Sequence, residues 1–306
     1  MKGDAKGPLR QRIRSTLRLI IYGLSTLIGL LAFLSPFILP LIGVEGSIGP
    51  SAGQAERFSP LLLSLFGGLA FLALLLEIQG EAAMDAKFVA LLGVLVAINA
   101  TLRFVETVIP GPAGFSPIFV LIILTGYVYG GRFGFLMGVL TLFVSALITG
   151  GMGPWLPYQM ITAGWVGLSV PLLRRLVHTL RAEDTRWEIV GLALTGGAWG
   201  LVYGVMTNLW FWPYATGLGA QGWGAGLSTW ALLRRYLAFY AATSFVWDAV
   251  RSVGTMVLIA LLGRPTLRVL QRFDRRFRFT TRPPQRSSGR DPSARAVVWD
   301  SGRSTT

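Results

Sequence analysis

Cysteine is absent from the 306 residues, histidine occurs once, and 14 acidic residues face 28 lysines and arginines. Without a thiol there is no disulfide, no thiolate metal ligand and no cysteine nucleophile, and the redox compartment leaves no trace in the sequence. His178 stands among arginines with no carboxylate motif beside it. The usual ligand sets of zinc or di-iron centres are therefore missing, and neither a metal nor a cofactor is expected. A Ser-His dyad buried in a membrane helix would need a histidine there. No Gly-x-x-x-x-Gly-Lys-Ser/Thr loop offers ATP hydrolysis either. The sequence does not read as an enzyme.

What the chain does have is apolar length. Hydrophobic residues make up 53% of it and charged ones 14%, and mean hydropathy is +0.58, the composition of an integral membrane protein. A bilayer core of ~30 Å takes ~20 apolar helical residues. On that measure spans fall near 17–42, 60–77, 88–109, 116–130, 133–149, 156–173, 188–212 and 236–262. The expected fold is all-α, a polytopic bundle of about eight transmembrane helices. Only Gly130, Gly131 and Arg132 separate the fourth span from the fifth, so one long bent helix is the alternative there. The first span starts with a basic stretch, as signal peptides do, but it is too long for one and shows no small-residue cleavage site before Pro36 and Pro40.

The net charge of +14 follows the topology. Lys2, Lys6, Arg10, Arg12 and Arg14 precede the first span, Arg132 joins the fourth to the fifth, and Arg174, Arg175, Arg181 and Arg186 join the sixth to the seventh. Arg264, Arg268, Arg272, Arg275, Arg276 and Arg278 follow the last span. With eight spans all of these share one side, which the positive-inside rule makes cytoplasmic together with both termini. The expected location is a prokaryotic cell membrane. The loops on the other side hold only Arg57, apart from Arg234 and Arg235. A charge laid out this way suits anionic headgroups, not nucleic acid.

The outer side carries the unusual chemistry. Gly150-Gly-Met-Gly-Pro-Trp-Leu-Pro-Tyr-Gln-Met160 breaks the apolar run with glycines, prolines and polar-tipped aromatics. Irregular backbone at membrane depth persists only where protein or a water-lined cavity receives its polar groups, so this break reads as one wall of a binding mouth. A second long segment, from Pro213 to Arg235, mixes Trp212, Tyr214, Trp223 and Trp230 with Gly217, Gly219, Gly222, Gly224 and Gly226. Glycines of that density suit a loop that closes over something. Phe115 and Pro117 come from a shorter outer loop. Within the spans, Arg103 with Glu106 and Asp248 with Arg251 stand three residues apart and can pair. Each pair either neutralises itself and staples helices or faces a ligand cavity. The candidate binding residues are thus Phe115, Trp155, Tyr158, Gln159, Trp212, Trp223, Arg234, Arg103, Asp248 and Arg251.

Small residues recur at helical spacing. Gly126, Gly130, Gly134 and Gly138 form one row, and Gly196, Gly200 and Gly204 another, both suited to close helix packing. Ala86, Ala90, Gly93 and Ala97 share a face of the third span that suits either internal packing or a sliding contact with another membrane subunit.

Gly114-Phe-Ser-Pro-Ile-Phe119, Gly126-Tyr-Val-Tyr-Gly-Gly-Arg-Phe-Gly-Phe135 and Thr149-Gly-Gly-Met-Gly-Pro-Trp-Leu-Pro-Tyr-Gln-Met160 together resemble the core of substrate-binding S components of energy-coupling factor (ECF) vitamin transporters. Trp247-Asp-Ala-Val-Arg251 and Gly263-Arg-Pro265 add to the resemblance, which covers roughly 86–272. It implies a six-helix core that captures a vitamin from outside with its extracellular loops. The core would dock on a membrane coupling subunit driven by two cytoplasmic ATPases and topple in the bilayer to release its load. It further implies docking through an Ala-x-x-x-Ala pattern in the first core helix, matched here by Ala86 and Ala90. The broad aromatic provision is similar to that of cobalamin-type S components, making a corrinoid the first guess, with thiamine, riboflavin and other vitamin-like ligands open. On this reading 1–85 hold a basic N-terminus and two accessory helices, 86–272 the substrate-binding core, and 273–306 a basic tail too polar to bury a core. The alternative is a stand-alone secondary transporter or channel using the intramembrane ion pairs for proton coupling.

Overall fold

The computed structural model describes residues 6–38, 53–78, 82–109, 115–183, 185–215, 218–224 and 227–279. Long apolar stretches in these segments form helices that satisfy their own backbone and leave their flanks to neighbours or lipid. Nine α-helices are described: α1 (Lys6–Ile38), α2 (Gly53–Ile78), α3 (Ala82–Val108), α4 (Ile118–Tyr129), α5 (Gly131–Thr149), α6 (Leu156–Thr179), α7 (Arg186–Phe211), α8 (Thr229–Thr243) and α9 (Phe245–Phe279). Two single 3-10 turns, Trp212–Tyr214 and Gly219–Gln221, lie between α7 and α8. Among the described residues, six helices (α1, α3, α5, α6, α7 and α9) are long and apolar enough to cross a membrane, and Leu61–Glu77 and Ile118–Tyr129 are shorter apolar helices. Leu19, Leu61, Ile109 and Leu261 are each at least two-thirds exposed, a surface that suits hydrocarbon, not water.

The helix α4 is buried along almost its whole length. Twelve residues span about 18 Å, well short of a ~30 Å bilayer core, so α4 is a half-length strut enclosed by protein. It is separate from α5: Gly130, at φ 95°, turns the chain between them. The hairpin closes tightly because Gly126 and Gly134 face each other, and the Gly167 carbonyl of α6 lies 2.6 Å from where a Cβ on either would stand. The second glycine row acts the same way between α7 and α9, Gly196 against Thr255 and Ile259, Gly200 against Ser252, and Gly204 against Asp248. Both rows act as helix-packing seams except at Gly130, which is the turn itself and has no neighbouring atom within 4 Å of a Cβ placed on it.

One end of the bundle is basic. Arg132 at the start of α5 and Arg18 on α1 flank the buried Glu77 of α2, at 3.1 and 3.4 Å. Arg174 on α6 donates to the Val128 carbonyl at the end of α4. Tyr127 donates to Glu188 at 2.7 Å, linking α4 to α7. At this end the first two helices are packed into the bundle: Tyr22 of α1 meets Phe135 of α5 edge-on, with centroids 5.2 Å apart.

Two expected boundaries move. The last span, read as 236–262, is two helices broken at Ser244, so the crossing helix starts at Phe245 and the outer loop ends at Ser228. Ser228 caps α8 by accepting from the Ala231 N–H. The tail assigned to 273–306 begins as helix through Phe279; 280–306 lie outside the described residues.

Candidate functional site

The break between α5 and α6 is built as its composition demands. Gly150 takes φ 67°, a left-handed conformation that favours glycine. The Gly151 N–H returns to the Ala146 carbonyl at 3.0 Å, closing α5. At Gly153 a Cβ would overlap the Trp155 indole, so glycine lets that ring fold back over the turn. Pro157 lies in the first turn of α6, where its missing N–H costs nothing. Trp155 is left 44% exposed at the rim, whereas Tyr158, one turn on, is 6% exposed.

Trp155, Tyr158 and Gln159 come together with Thr207, Asn208, Trp210 and Phe211 of α7 around a cleft of about 240 Å³, at the end of the bundle opposite Arg18, Arg132 and Arg174. Its wall is an aromatic chain. Tyr158 lies 4.9 Å from Trp210 and 5.1 Å from Phe33 of α1, and Phe33 lies 5.9 Å from Trp165. Asn208 spends its amide donor on the Gly204 carbonyl at 2.9 Å and its oxygen on the Ser244 hydroxyl at 2.8 Å. The break between α8 and α9 is therefore bonded directly to a cleft residue.

A second, ionic group lies beside the cleft around Tyr203. Asp248, 2% exposed, pairs with Arg251, and the Arg251 guanidinium stands over the Tyr203 ring at 5.6 Å. Phe119 meets the same ring edge-on at 4.9 Å. Glu106 accepts from Ser116 at 2.8 Å instead of closing a direct ion pair with Arg103; the expected Arg103–Glu106 pair is a charge neighbourhood, with the hydrogen bond going to the loop before α4. Phe115 packs on Gly254 of α9, where a Cβ would overlap its ring. Asn99, fully buried, donates to the Ile118 carbonyl at 3.1 Å and so fixes the start of α4 beneath this group.

Trp212 and Trp223 enter neither arrangement. Trp212 is buried among Tyr236, Phe239 and Tyr240 of α8, with Trp223 packed against them, and its indole donates to the Gln221 carbonyl at 2.8 Å. These rings hold the 3-10 turns onto α8. Arg234 stands exposed on α8, while its neighbour Arg235 donates to the Gly222 carbonyl at 3.2 Å and clamps the loop. Tyr240 reaches back toward the Asp248 carboxylate, yet its hydroxyl and Asp248 Oδ2 are both buried without a well-formed hydrogen bond.

Sequence reasoning missed Phe33, Thr207, Asn208, Phe211, Tyr203 and Ser244 as members of these groups. Asn208 carried a usable signal, a lone carboxamide near the end of an apolar span; Phe33, one ring in an apolar run, carried none. The small-residue face of α3 is open: Ala90, Gly93 and Ala97 are exposed, and no neighbouring atom lies within 4 Å of a Cβ placed on Gly93. Leu92, Leu95, Val96, Asn99 and Ala100 on the opposite face make the contacts with the bundle. The side chain of Ala86 lies outside the described residues.

Searches of curated proteins and of solved structures returned no match to this chain. A family model, described as ECF transporter, substrate-specific component, matches residues 87–263. Members of that family are transport proteins, not enzymes, and they work in a membrane-embedded transporter complex with a small-molecule ligand. With more than half of the 306 residues matched, this chain belongs to the ECF transporter substrate-specific component family.

Proposed function

We propose that this protein captures a vitamin or vitamin-like small molecule at the aromatic end of the bundle and hands it to an energised membrane complex. The observation that carries the reading is the cleft in which Trp155, Tyr158 and Gln159 meet Thr207, Asn208, Trp210 and Phe211. Aromatic walls with a few polar tips suit a flat, partly polar ligand. Phe115, Arg103, Asp248 and Arg251 would complete the site from below, the arginines meeting an anionic group or carbonyl. Trp212, Trp223 and the α8 surface with Arg234 form the lid. The break at Ser244 supports that role, because bending there moves the lid against Asn208 without unfolding either helix.

The basic end faces the cytoplasm in this account, with both termini, and the cleft faces outward. The six helices α3–α7 and α9 form the substrate-binding core, and α1 and α2 brace it, α1 lending Phe33 to the cleft wall. The open Ala90, Gly93 and Ala97 face of α3 supports docking on a coupling subunit, served by two cytoplasmic ATPases and with Ala86 extending the contact in sequence, since small residues let a partner helix approach closely. A corrinoid is the first guess for the ligand from the breadth of the aromatic provision. A cleft of about 240 Å³ is small beside the 300–1,000 Å³ typical of ligand pockets, so a corrinoid needs the lid raised, whereas a smaller vitamin fits with little movement.

Expression in a host supplied with the vitamins singly, followed by purification and identification of any retained compound, tests the reading. A stoichiometric vitamin in wild type that Trp155→Ala depletes supports it. No retained vitamin, with uptake unchanged in Trp155→Ala, rules it out.

A further inference from the structure

A cavity of about 360 Å³ opens at the basic end, far from the cleft, between α1, α5 and α6, and is lined by Ser15, Arg18, Leu19, Tyr22, Arg132 and Leu168. Nothing in the substrate-capture reading uses it. Two of its polar atoms have no hydrogen-bond partner: the hydroxyl of Tyr22 and Nε of Arg18, both buried. Tyr22 is 7% exposed, so water reaches its oxygen poorly, and a donor left unmet in so apolar a setting is costly unless a ligand meets it.

The charge of the cavity says what kind of ligand. Glu77 takes one terminal nitrogen from each of Arg18 and Arg132, leaving two guanidinium groups against one carboxylate and a net charge of +1. Arg132 is half exposed, at 51%, and keeps donors free to turn inward. A tetrahedral oxyanion with several acceptors could receive the Tyr22 hydroxyl, the Arg18 Nε–H and the outer edge of Arg132 together. Apart from Ser15, whose hydroxyl donates to the Arg12 carbonyl at 2.8 Å, the remaining wall is apolar, and Leu19 is 75% exposed on the bundle surface beside the opening. An acyl chain fits that flank; a soluble anion gains nothing from it.

We propose that this cavity binds the phosphate of an anionic phospholipid, with its chain lying along α1 over Leu19 and Leu168, and that the lipid fastens α1 to the bundle at α5. Basic pockets between helices at a membrane face recognise lipid headgroups by the same chemistry. The role also explains why a helix outside the six-helix core carries a buried, unpaired tyrosine against α5.

The test uses the full chain in a neutral detergent, titrated with phosphatidylglycerol or phosphatidylcholine and followed by native mass spectrometry and thermal unfolding. Wild type should retain one phosphatidylglycerol and unfold at a higher temperature with it, and should hold phosphatidylcholine several-fold less well. Tyr22→Phe keeps the ring contact with Phe135. It should unfold without lipid at the same or a higher temperature than wild type, yet bind phosphatidylglycerol about tenfold more weakly, the scale of one hydrogen bond to a charged group. Arg132→Gln, which leaves the Arg18–Glu77 pair intact, should weaken binding similarly. Equal binding of the two lipids, the same stabilisation by inorganic phosphate alone, or unchanged phosphatidylglycerol binding by Tyr22→Phe would each overturn the proposal. Vitamin retention is read separately in the same preparations, so loss of one result leaves the other standing.

Discussion

Replacing Gly200 by alanine probes the seam on which the site depends. A Cβ at this position would lie 2.6 Å from Cα and 2.9 Å from N of Ser252 on α9. Both are backbone atoms and cannot swing aside, and carbon contacts settle near 3.5–4.0 Å, so α7 and α9 must part by about 1 Å. Overpacking of this kind costs about 1–3 kcal/mol, and backbone against backbone belongs at the upper end. Alanine returns up to ~1 kcal/mol in helix propensity. The net is a destabilisation of about 2 kcal/mol, roughly thirtyfold in the folded-to-unfolded ratio. The same movement separates Gly204 from Asp248 and strains the bond from Ser244 to Asn208, so vitamin affinity should fall as well. Gly68→Ala is the control, since no neighbouring atom lies within 4 Å of its Cβ, and it should be neutral or slightly stabilising. Reversible denaturation in detergent with calorimetric binding reads both effects. If Gly200→Ala matches Gly68→Ala in stability and affinity, α7 and α9 do not set the site's geometry.

Asp248→Asn strips the partner from Arg251 in a buried pair and should destabilise by about 3–5 kcal/mol; combined with Arg251→Gln the loss should be smaller than the sum, which a double-mutant cycle in chemical denaturation measures. Ala90→Trp, on the open face of α3, should leave vitamin binding intact and abolish assembly with the coupling subunit, seen as loss of co-purification. Arg235→Gln, which frees the Gly222 carbonyl, should speed vitamin dissociation severalfold in stopped-flow measurements, while Arg234→Gln on the exposed surface changes that rate less than twofold.

The membrane bundle was legible because hydropathy over ~20 residues is a property of composition, and the break at 150–155 was legible because glycine and proline mark irregular backbone in any context. The glycine rows were legible as packing seams because small residues at helical spacing let backbones approach closely, except at Gly130, which the structure makes the turn between α4 and α5. The split at Ser244 was not legible: the residues around it, Thr243, Ser244 and Phe245, carry neither glycine nor proline, and the turn is held by a bond to Asn208, thirty-six residues back. Trp212, Trp223 and Arg234 were read as one mouth with Trp155 because all are outer residues near aromatics. Sequence gives their depth in the membrane but not their direction around it. Phe33 was invisible for a related reason, since only tertiary packing against Tyr158 distinguishes it from other rings facing lipid.

Isothermal calorimetry of the purified protein against a panel of corrinoid, thiamine, riboflavin and other vitamins, run beside Asn208→Ala, tests the central claim most directly. One vitamin should bind with submicromolar affinity, and Asn208→Ala should weaken it at least tenfold by freeing both the cleft and the hinge. Submicromolar binding that Asn208→Ala and Trp155→Ala leave unchanged would place the ligand elsewhere in the bundle and contradict the account.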